Sequence, residues 1–353
     1  MKFFNLDCHV SVIADLLKIF TELGHEVTSW SISGHNFIFG KDPAKVEIIN
    51  QNTWMNLDEK MCDDFYERYK DELSEYDGFI CTYPLSFSML YAKFKKPIIL
   101  HVPIRYEVPF SGKPNMWNRF NSYLREGIDS GMIIPVANSE YDKRYFEFFV
   151  QRSCLMIPNI CEYTNTKWNP IKNQFLYSSR LKFNFPSNII VDKDSLGRYE
   201  WSDLSKFRGI IVIPYTCSTM SIFEHYNANI PLFFPSKRFM LELYESYGNA
   251  VLSEITWNRI FNLPPGSSID CDRDNDPNSF DDMRIVGRWI DYSDFYNQES
   301  MPHIIYFDSI EDLSIKISNT NLKEISQKMS EFNSYKREKI YAEWNNIIKN
   351  LNK

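Results

Sequence analysis

No run in this sequence approaches the roughly 20 consecutive apolar residues that a membrane-spanning helix needs, so a transmembrane role is not expected. Positive charge is not in excess either. The chain carries 39 Lys and Arg against 46 Asp and Glu, a net charge of −7, and so lacks a general electrostatic footprint for nucleic acid. The first residues, MKFFNLDCHV, hold one Lys and too short an apolar stretch for a secretory signal. Cysteine is sparse: the seven, at 8, 62, 81, 154, 161, 217 and 271, are odd in number and nowhere spaced CxxC. This argues for reduced thiols in a cytoplasmic compartment and against a structural zinc site. Asp270, Asp272, Asp274 and Asp276 alternate, but the central Gly and closing Glu of a calcium-binding EF-hand loop are missing. No metal is expected, and no internal repeat is present.

What is there suits a large α/β protein. At 353 residues, with 44% hydrophobic and 16% aromatic residues, the chain can build two domains of roughly 150 to 180 residues each. Strand-like and helix-like segments alternate from the start. Lys2–Leu6 reads as a strand, Val10–Leu23 as a helix closed by Gly24, and Glu26–Trp30 as the next strand. Asp7 and His9 then fall at the carboxyl edge of the first strand, where open parallel sheets place their ligands. His35 follows in the loop after the second strand. Asp58–Ser74 is a charged amphipathic helix, Phe79–Thr82 a strand, Ser86–Phe94 a helix, and Ile98–Leu100 the strongest strand of this half. Just past it stand His101, Arg105 and Glu107, residue types suited to acid–base chemistry or acceptor binding, or to a salt-bridged loop. A helix over 117–130, a strand over 131–136, a helix over 142–150 and a strand over 155–159 complete the half, and the polar segment 162–173 reads as a linker.

The second half restarts with a strand at 174–177, followed at once by Arg180 and Lys182. Arg meets a diphosphate with a planar fork and Lys as a point charge. Residues 186–206 are ambiguous, with a strand over 188–191. The most informative stretch is 207–240. Gly209–Ile213 reads as a buried strand, Tyr215–Thr219 as a polar loop, Met220–Tyr226 as a helix with Ser218 or Thr219 as N-cap, and Leu232–Phe234 as the next strand. The free amides near Ser218, Thr219, Met220 and Ser221 can receive a phosphate, and Glu224 lies one turn further in. The same pattern also describes an ordinary capped helix. Beyond it come a helix over 240–247, a surface loop over 262–282, a strand over 304–307 and helices over 309–317 and 321–350.

In this order the chain resembles the GT-B fold glycosyltransferases, most closely the retaining, metal-independent branch that uses nucleotide sugars. Pro135–Glu140 and the Ile157-Pro158-Asn159 triplet look like signals that close that family's N-terminal domain. Leu176–Lys182 looks like its diphosphate clamp, with Ser179 in place of a Gly, and Ser218–Leu232 like its donor helix. The likeness covers roughly residues 130 to 240. The Asn- and Lys-rich composition also suits algal-virus transferases that build capsid glycans.

The resemblance implies two Rossmann-like, doubly wound domains facing a central cleft. An acceptor domain would span 1–162 and a donor domain 174–330, with a last helix over 331–353 returning to the N-terminal domain. It implies transfer of a hexose or deoxyhexose from a UDP- or GDP-linked donor to a glycan or glycoprotein in the cytoplasm, a host's if the chain is viral, with no cofactor. Arg180 and Lys182 would meet the diphosphate, Ser218–Ser221 would support it, and Glu224 would hold the ribose. His101, with His9 and Asp7, would face the reacting sugar, and His35, Arg105 and Glu107 the acceptor. One departure stands out: Thr216 and Cys217 occupy the places of a second Glu that touches the donor sugar. A nucleotide-sugar epimerase of the same fold, or a non-catalytic nucleotide- or glycan-binding module, is the alternative.

Overall fold

The computed structural model describes residues 1–183, 185, 189–252, 262–267 and 274–351. These fall into two compact units. The first comprises residues 1–159, 267 and 340–351, and the second the described residues of 160–266 and 274–339.

The first unit is built on a six-stranded sheet of β1 (Lys2–Asp7), β2 (Glu26–Ser31), β3 (Gly78–Cys81), β4 (Ile98–Val102), β5 (Ile133–Ala137) and β6 (Leu155–Met156). The spatial order is β2-β1-β3-β4-β5-β6, and every neighbouring pair is parallel. Strands β3 and β4 are buried along their whole length, as parallel strands covered on both faces must be. Helix α1 (Val10–Glu22) turns Val12, Ile13, Leu16, Ile19 and Phe20 inward at helical spacing, and the chain leaves it through Gly24 at φ +83°. Asp58 caps α2 (Glu59–Leu73) by accepting from the Met61 amide. Helix α3 (Pro114–Asp129) starts on its proline, and Ser139 caps α4 (Glu140–Val150) through the Asp142 amide.

The second unit repeats the plan. Strands β7 (Phe175–Ser178), β8 (Ile190–Asp192), β9 (Ile210–Val212), β10 (Leu232–Pro235) and β11 (Ile305–Phe307) lie in the order β11-β10-β9-β7-β8, again all parallel. Counted from its own first strand, each sheet therefore begins 2-1-3-4-5. Its strand order reverses between β1 and β3 in one unit and between β7 and β9 in the other. Ligands of open α/β sheets bind outside the carboxyl ends of the strands at such a switch point. The helices here are α5 (Trp201–Leu204), α6 (Met220–Asn227), α7 (Lys237–Tyr247), α8 (Met283–Ile290), α9 (Ile310–Asn319) and the long α10 (Leu322–Leu351). The early part of α10 belongs to this unit, where Asn333 donates to the Tyr226 carbonyl and to Asn229. From residue 340 onward it belongs to the first unit, where Trp344 packs on Phe20 and the Tyr341 hydroxyl donates to Glu22.

Several sequence expectations shift. The helix expected over Ser86–Phe94 is a 3-10 helix over Leu85–Phe94, and the strand expected over 155–159 pairs only over Leu155–Met156. Helix α7 starts at Lys237, upstream of the expected Met240, because Ser236 supplies the cap. Helix α8 begins just past the loop expected over 262–282, in residues for which no element was expected. Asn188, in the expected strand 188–191, and Asp270, Asp272 and Cys271 lie outside the described residues. The polar segment 162–173 is stitched to the second unit: the Trp168 amide donates to the Ala228 carbonyl, its indole to the Phe207 carbonyl, and the Asn169 amide to the Ser205 carbonyl.

Gly209 opens β9 where no side chain fits. A Cβ there would lie 2.8 Å from the Pro231 carbonyl oxygen and 3.3 Å from the Phe175 ring. Gly209→Ala is expected to cost about 1–3 kcal/mol in urea unfolding, the usual cost of overpacking. A cost near zero would mean that β9 and β10 separate freely.

Candidate functional site

The switch point of the second sheet opens into a cavity of about 630 Å³. Its wall is supplied by the residues that leave β7 (Ser178, Ser179, Arg180) and β9 (Ile213, Pro214, Tyr215), with Thr219 and Ser221 at the start of α6. Thr219 is the N-cap residue in an extended conformation, yet its side chain makes no capping bond. Its hydroxyl instead lies 3.3 Å from the Tyr215 hydroxyl and 3.4 Å from that of Ser221. The amides of the first turn of α6 are thus not closed by a side-chain cap, and they carry the positive end of the helix dipole. The Ser218 hydroxyl is buried beside them without a hydrogen-bond partner.

Three cations stand on the wall: Arg180, Lys182 and Lys193. The Arg180 guanidinium lies 4.5 Å from the Tyr215 ring centroid, and the Lys193 ammonium 5.2 Å from that of Tyr199. Lys182 is ion-paired with Asp192 at 2.5 Å and with Asp194 at 3.1 Å. These hydrogen bonds, Asp192 first, raise its pKa above the ordinary lysine value. A concave wall of cations, hydroxyls and helix amides is suited to an anion such as a phosphate ester.

Other residues expected at this site sit elsewhere. The Met220 side chain is buried, leaving only its backbone on offer. Glu224 is buried too, accepts a hydrogen bond from the Tyr163 hydroxyl, and forms no part of the cavity wall. The face of α6 that carries Glu224 packs toward the 162–164 turn. Tyr199, Lys193, Asp194 and Tyr215 are among the wall residues that the sequence did not single out. Tyr215 directly follows the Gly209–Ile213 strand and was findable by position. The other three fall in the stretch whose periodicity is ambiguous.

At the switch point of the first sheet, Asp7 ends β1 fully buried. It accepts from the Ser31 hydroxyl at 2.8 Å and from the His9 backbone amide at 2.9 Å. Burial raises its pKa to about 7 against the lowering by these hydrogen bonds. The carboxylate thus holds the loop of His9, not its ring. The His9 imidazole is open to solvent on one side and packs edge-on to Tyr83, just past β3, at 6.1 Å. Crowding by the surrounding protein lowers its pKa, and the charge of His35 lowers it further. His35 is exposed, and its backbone amide is fixed by the Ser33 hydroxyl.

His101, Arg105 and Glu107 do not join them. His101 lies inside β4, paired with Val136, because the strand runs two residues beyond the expected Leu100. The imidazole is 1% exposed, 6.0 Å from Trp344, and its Nδ1 has no hydrogen-bond partner. Burial pushes its pKa down to about 3, so it is a neutral core residue, not a group facing a reactant. Arg105 and Glu107 form a buried ion pair at 2.8 Å. The Tyr145 hydroxyl donates to the same carboxylate, and the guanidinium lies over the Tyr145 ring at 4.5 Å. This pair is a core network rather than an acceptor-facing loop.

Among the described residues no group of three or more His, Cys, Asp or Glu can hold a metal ion, and no helix is long and apolar enough to cross a membrane. Two doubly wound parallel sheets, each with its own switch point, define the class: a two-unit α/β protein with an anion-suited cavity in the second unit.

No family model matches the sequence, and no curated protein matches it. Solved structures similar to it include the glycotransferase of kitacinnamycin, at 10% identity and a TM-score of 0.49 over 99% of this chain and 98% of that one. The glycosyltransferase SnogD from Streptomyces nogalater is 11% identical over 94% of each chain, with a TM-score of 0.46. Spinosyn rhamnosyltransferase SpnG, solved also with thymidine diphosphate, is 10% identical over 95% of this chain and 96% of that one, with a TM-score of 0.41. Likeness at this level adds nothing to the architecture read from the sheets themselves.

Proposed function

We propose that the chain is a glycosyltransferase whose second unit binds the diphosphate of a UDP- or GDP-linked sugar in the cavity between β7 and β9. The observation that carries this reading is the cavity itself, which sets Arg180, Lys182, the Thr219 and Ser221 hydroxyls and the uncapped start of α6 around one space. As the bond from the sugar's anomeric carbon to the phosphate oxygen breaks, negative charge grows on the departing diphosphate. Cations and helix amides already in place stabilise that charge without reorganisation, and the site asks for no metal. A glycan or glycoprotein hydroxyl would form the new bond. His9, whose imidazole stands open to solvent at the first sheet's switch point, is proposed as the base for an acceptor hydroxyl. Asp7 is then a positioning residue for the His9 loop. The odd, CxxC-free cysteine set fits work in the cytoplasm.

The test is a thermal-shift panel of UDP, GDP, CDP and ADP and their common sugar conjugates, with and without EDTA. A ligand at about 100 times its Kd adds roughly 2.7 kcal/mol, a shift of several degrees. A shift confined to one base, unchanged by EDTA and much reduced in Arg180→Ala, is the expected result. No shift with any nucleotide sinks the reading. Donor consumed without acceptor would point to an epimerase instead, and binding without turnover to a non-catalytic module.

A further inference from the structure

We propose that Asp194 sets the anion selectivity of the second unit's cavity by acting as a built-in counter-anion on Lys182, which an incoming phosphate must displace. The inference rests on the cavity being the anion site proposed above. Asp192 and Asp194 play unequal parts in holding Lys182. Asp192 ends β8, and its two oxygens are both engaged: Oδ1 accepts from the Asp194 amide at 2.9 Å and Oδ2 from Lys182 at 2.5 Å. Its carbonyl also takes the Ser195 hydroxyl at 2.6 Å, so Asp192 is the fixed part of the turn. Asp194 reaches the same ammonium at a looser 3.1 Å, with its side chain 81% exposed, and it is the carboxylate on the cavity wall. The turn closes through Gly197 at φ +62°, a conformation that suits glycine.

A simple anion approaching Lys182 therefore meets an opposing negative charge at the same position. It gains little from the exchange, because it trades one carboxylate contact for one phosphate contact. A diphosphate ester gains more, since its second phosphate also reaches Arg180 and the start of α6. Asp194 thus lowers affinity for bare phosphate-type anions and leaves the advantage to ligands that span the cavity.

Titration calorimetry with inorganic pyrophosphate and with orthophosphate tests this on the full chain. Asp194→Asn is expected to tighten both, by about two- to fivefold at low ionic strength, as exposed ion pairs allow. Orthophosphate should gain more than pyrophosphate. In a Lys182→Met background the same substitution should change neither. Asp194→Ala serves as a second variant, since the capping bond from Asp192 uses the backbone amide and survives both changes. Unchanged or weaker binding in Asp194→Asn, with the wild type binding pyrophosphate, overturns the counter-anion role alone. Absence of pyrophosphate binding in wild type and variants alike, up to millimolar concentration, overturns the anion-site reading and this inference with it.

Discussion

Glu107→Ala is expected to destabilise the first unit by about 3–5 kcal/mol, because it removes the carboxylate that pairs with the buried Arg105 guanidinium. Arg105 is 1% exposed and Glu107 5%, so water cannot take over the lost contact. The carboxylate also takes the Tyr145 hydroxyl, so that contact is lost in the same step. Removing both charges together, as Arg105→Met with Glu107→Leu, should cost far less than either single truncation, since the desolvation penalty of the pair disappears along with its attraction. Urea unfolding of the two single variants and the double variant decides it. A cost below about 1 kcal/mol for Glu107→Ala would match a solvated ion pair, and would return these residues to the acceptor-binding role read from the sequence.

The second large effect is on pH dependence. His101 has a folded pKa of about 3 against an ordinary 6.5, so below pH 6.5 the unfolded chain takes up a proton that the folded chain refuses. Its contribution is complete above pH 6.5 and is lost as pH falls toward 3, to a total of about 5 kcal/mol. Asp7 works the other way. Its folded pKa of about 7 exceeds the ordinary 3.8, so the folded chain keeps a proton that the unfolded chain releases. Its contribution is complete below pH 3.8 and is lost as pH rises to 7, to a total of about 4 kcal/mol. Between pH 3.8 and 6.5 the two slopes oppose each other, and the wild type hides both. Asp7→Asn should uncover the histidine: its stability relative to wild type rises by about 1.4 kcal/mol per pH unit from 3.8 to 7. His101→Phe should show the opposite slope from pH 3 to 6.5. Unfolding of each variant and the wild type at pH 4, 5.5 and 7 measures both differences. A flat difference for Asp7→Asn would mean that Asp7 is ionised in the fold throughout.

The alternation of strands and helices and the strand–loop–helix at 209–227 could both be read from the chain. Each rests on a period or a pairing within a few residues: 2.0 for a strand, 3.6 for a helix, three residues for a cap. The same local rules placed Arg180, Lys182, Thr219 and Ser221 just past strand ends, and the fold gathers them around one cavity. Both sheets needed only that rhythm to be expected.

Local rules fail where the partner is distant in sequence. Arg105 and Glu107 look like loop residues until Tyr145 arrives from α4 to bury them. Nothing near position 182 reveals that Asp192, at the end of the next strand of the sheet, and Asp194, in the turn after it, neutralise that lysine. His101 is misread because a strand's end is set by its neighbour's length: β5 pairs with β4 up to Val102, and Trp344 from the last helix covers the imidazole. Glu224 is decided by which face of α6 meets Tyr163. The sequence by itself determined the order and kind of the elements and the loops that reach the switch points, because those depend on each segment's own periodicity. Which side chains stay open to a ligand and which are taken up by the core was decided by tertiary structure alone, because burial and charge pairing depend on the segments that strand order brings alongside.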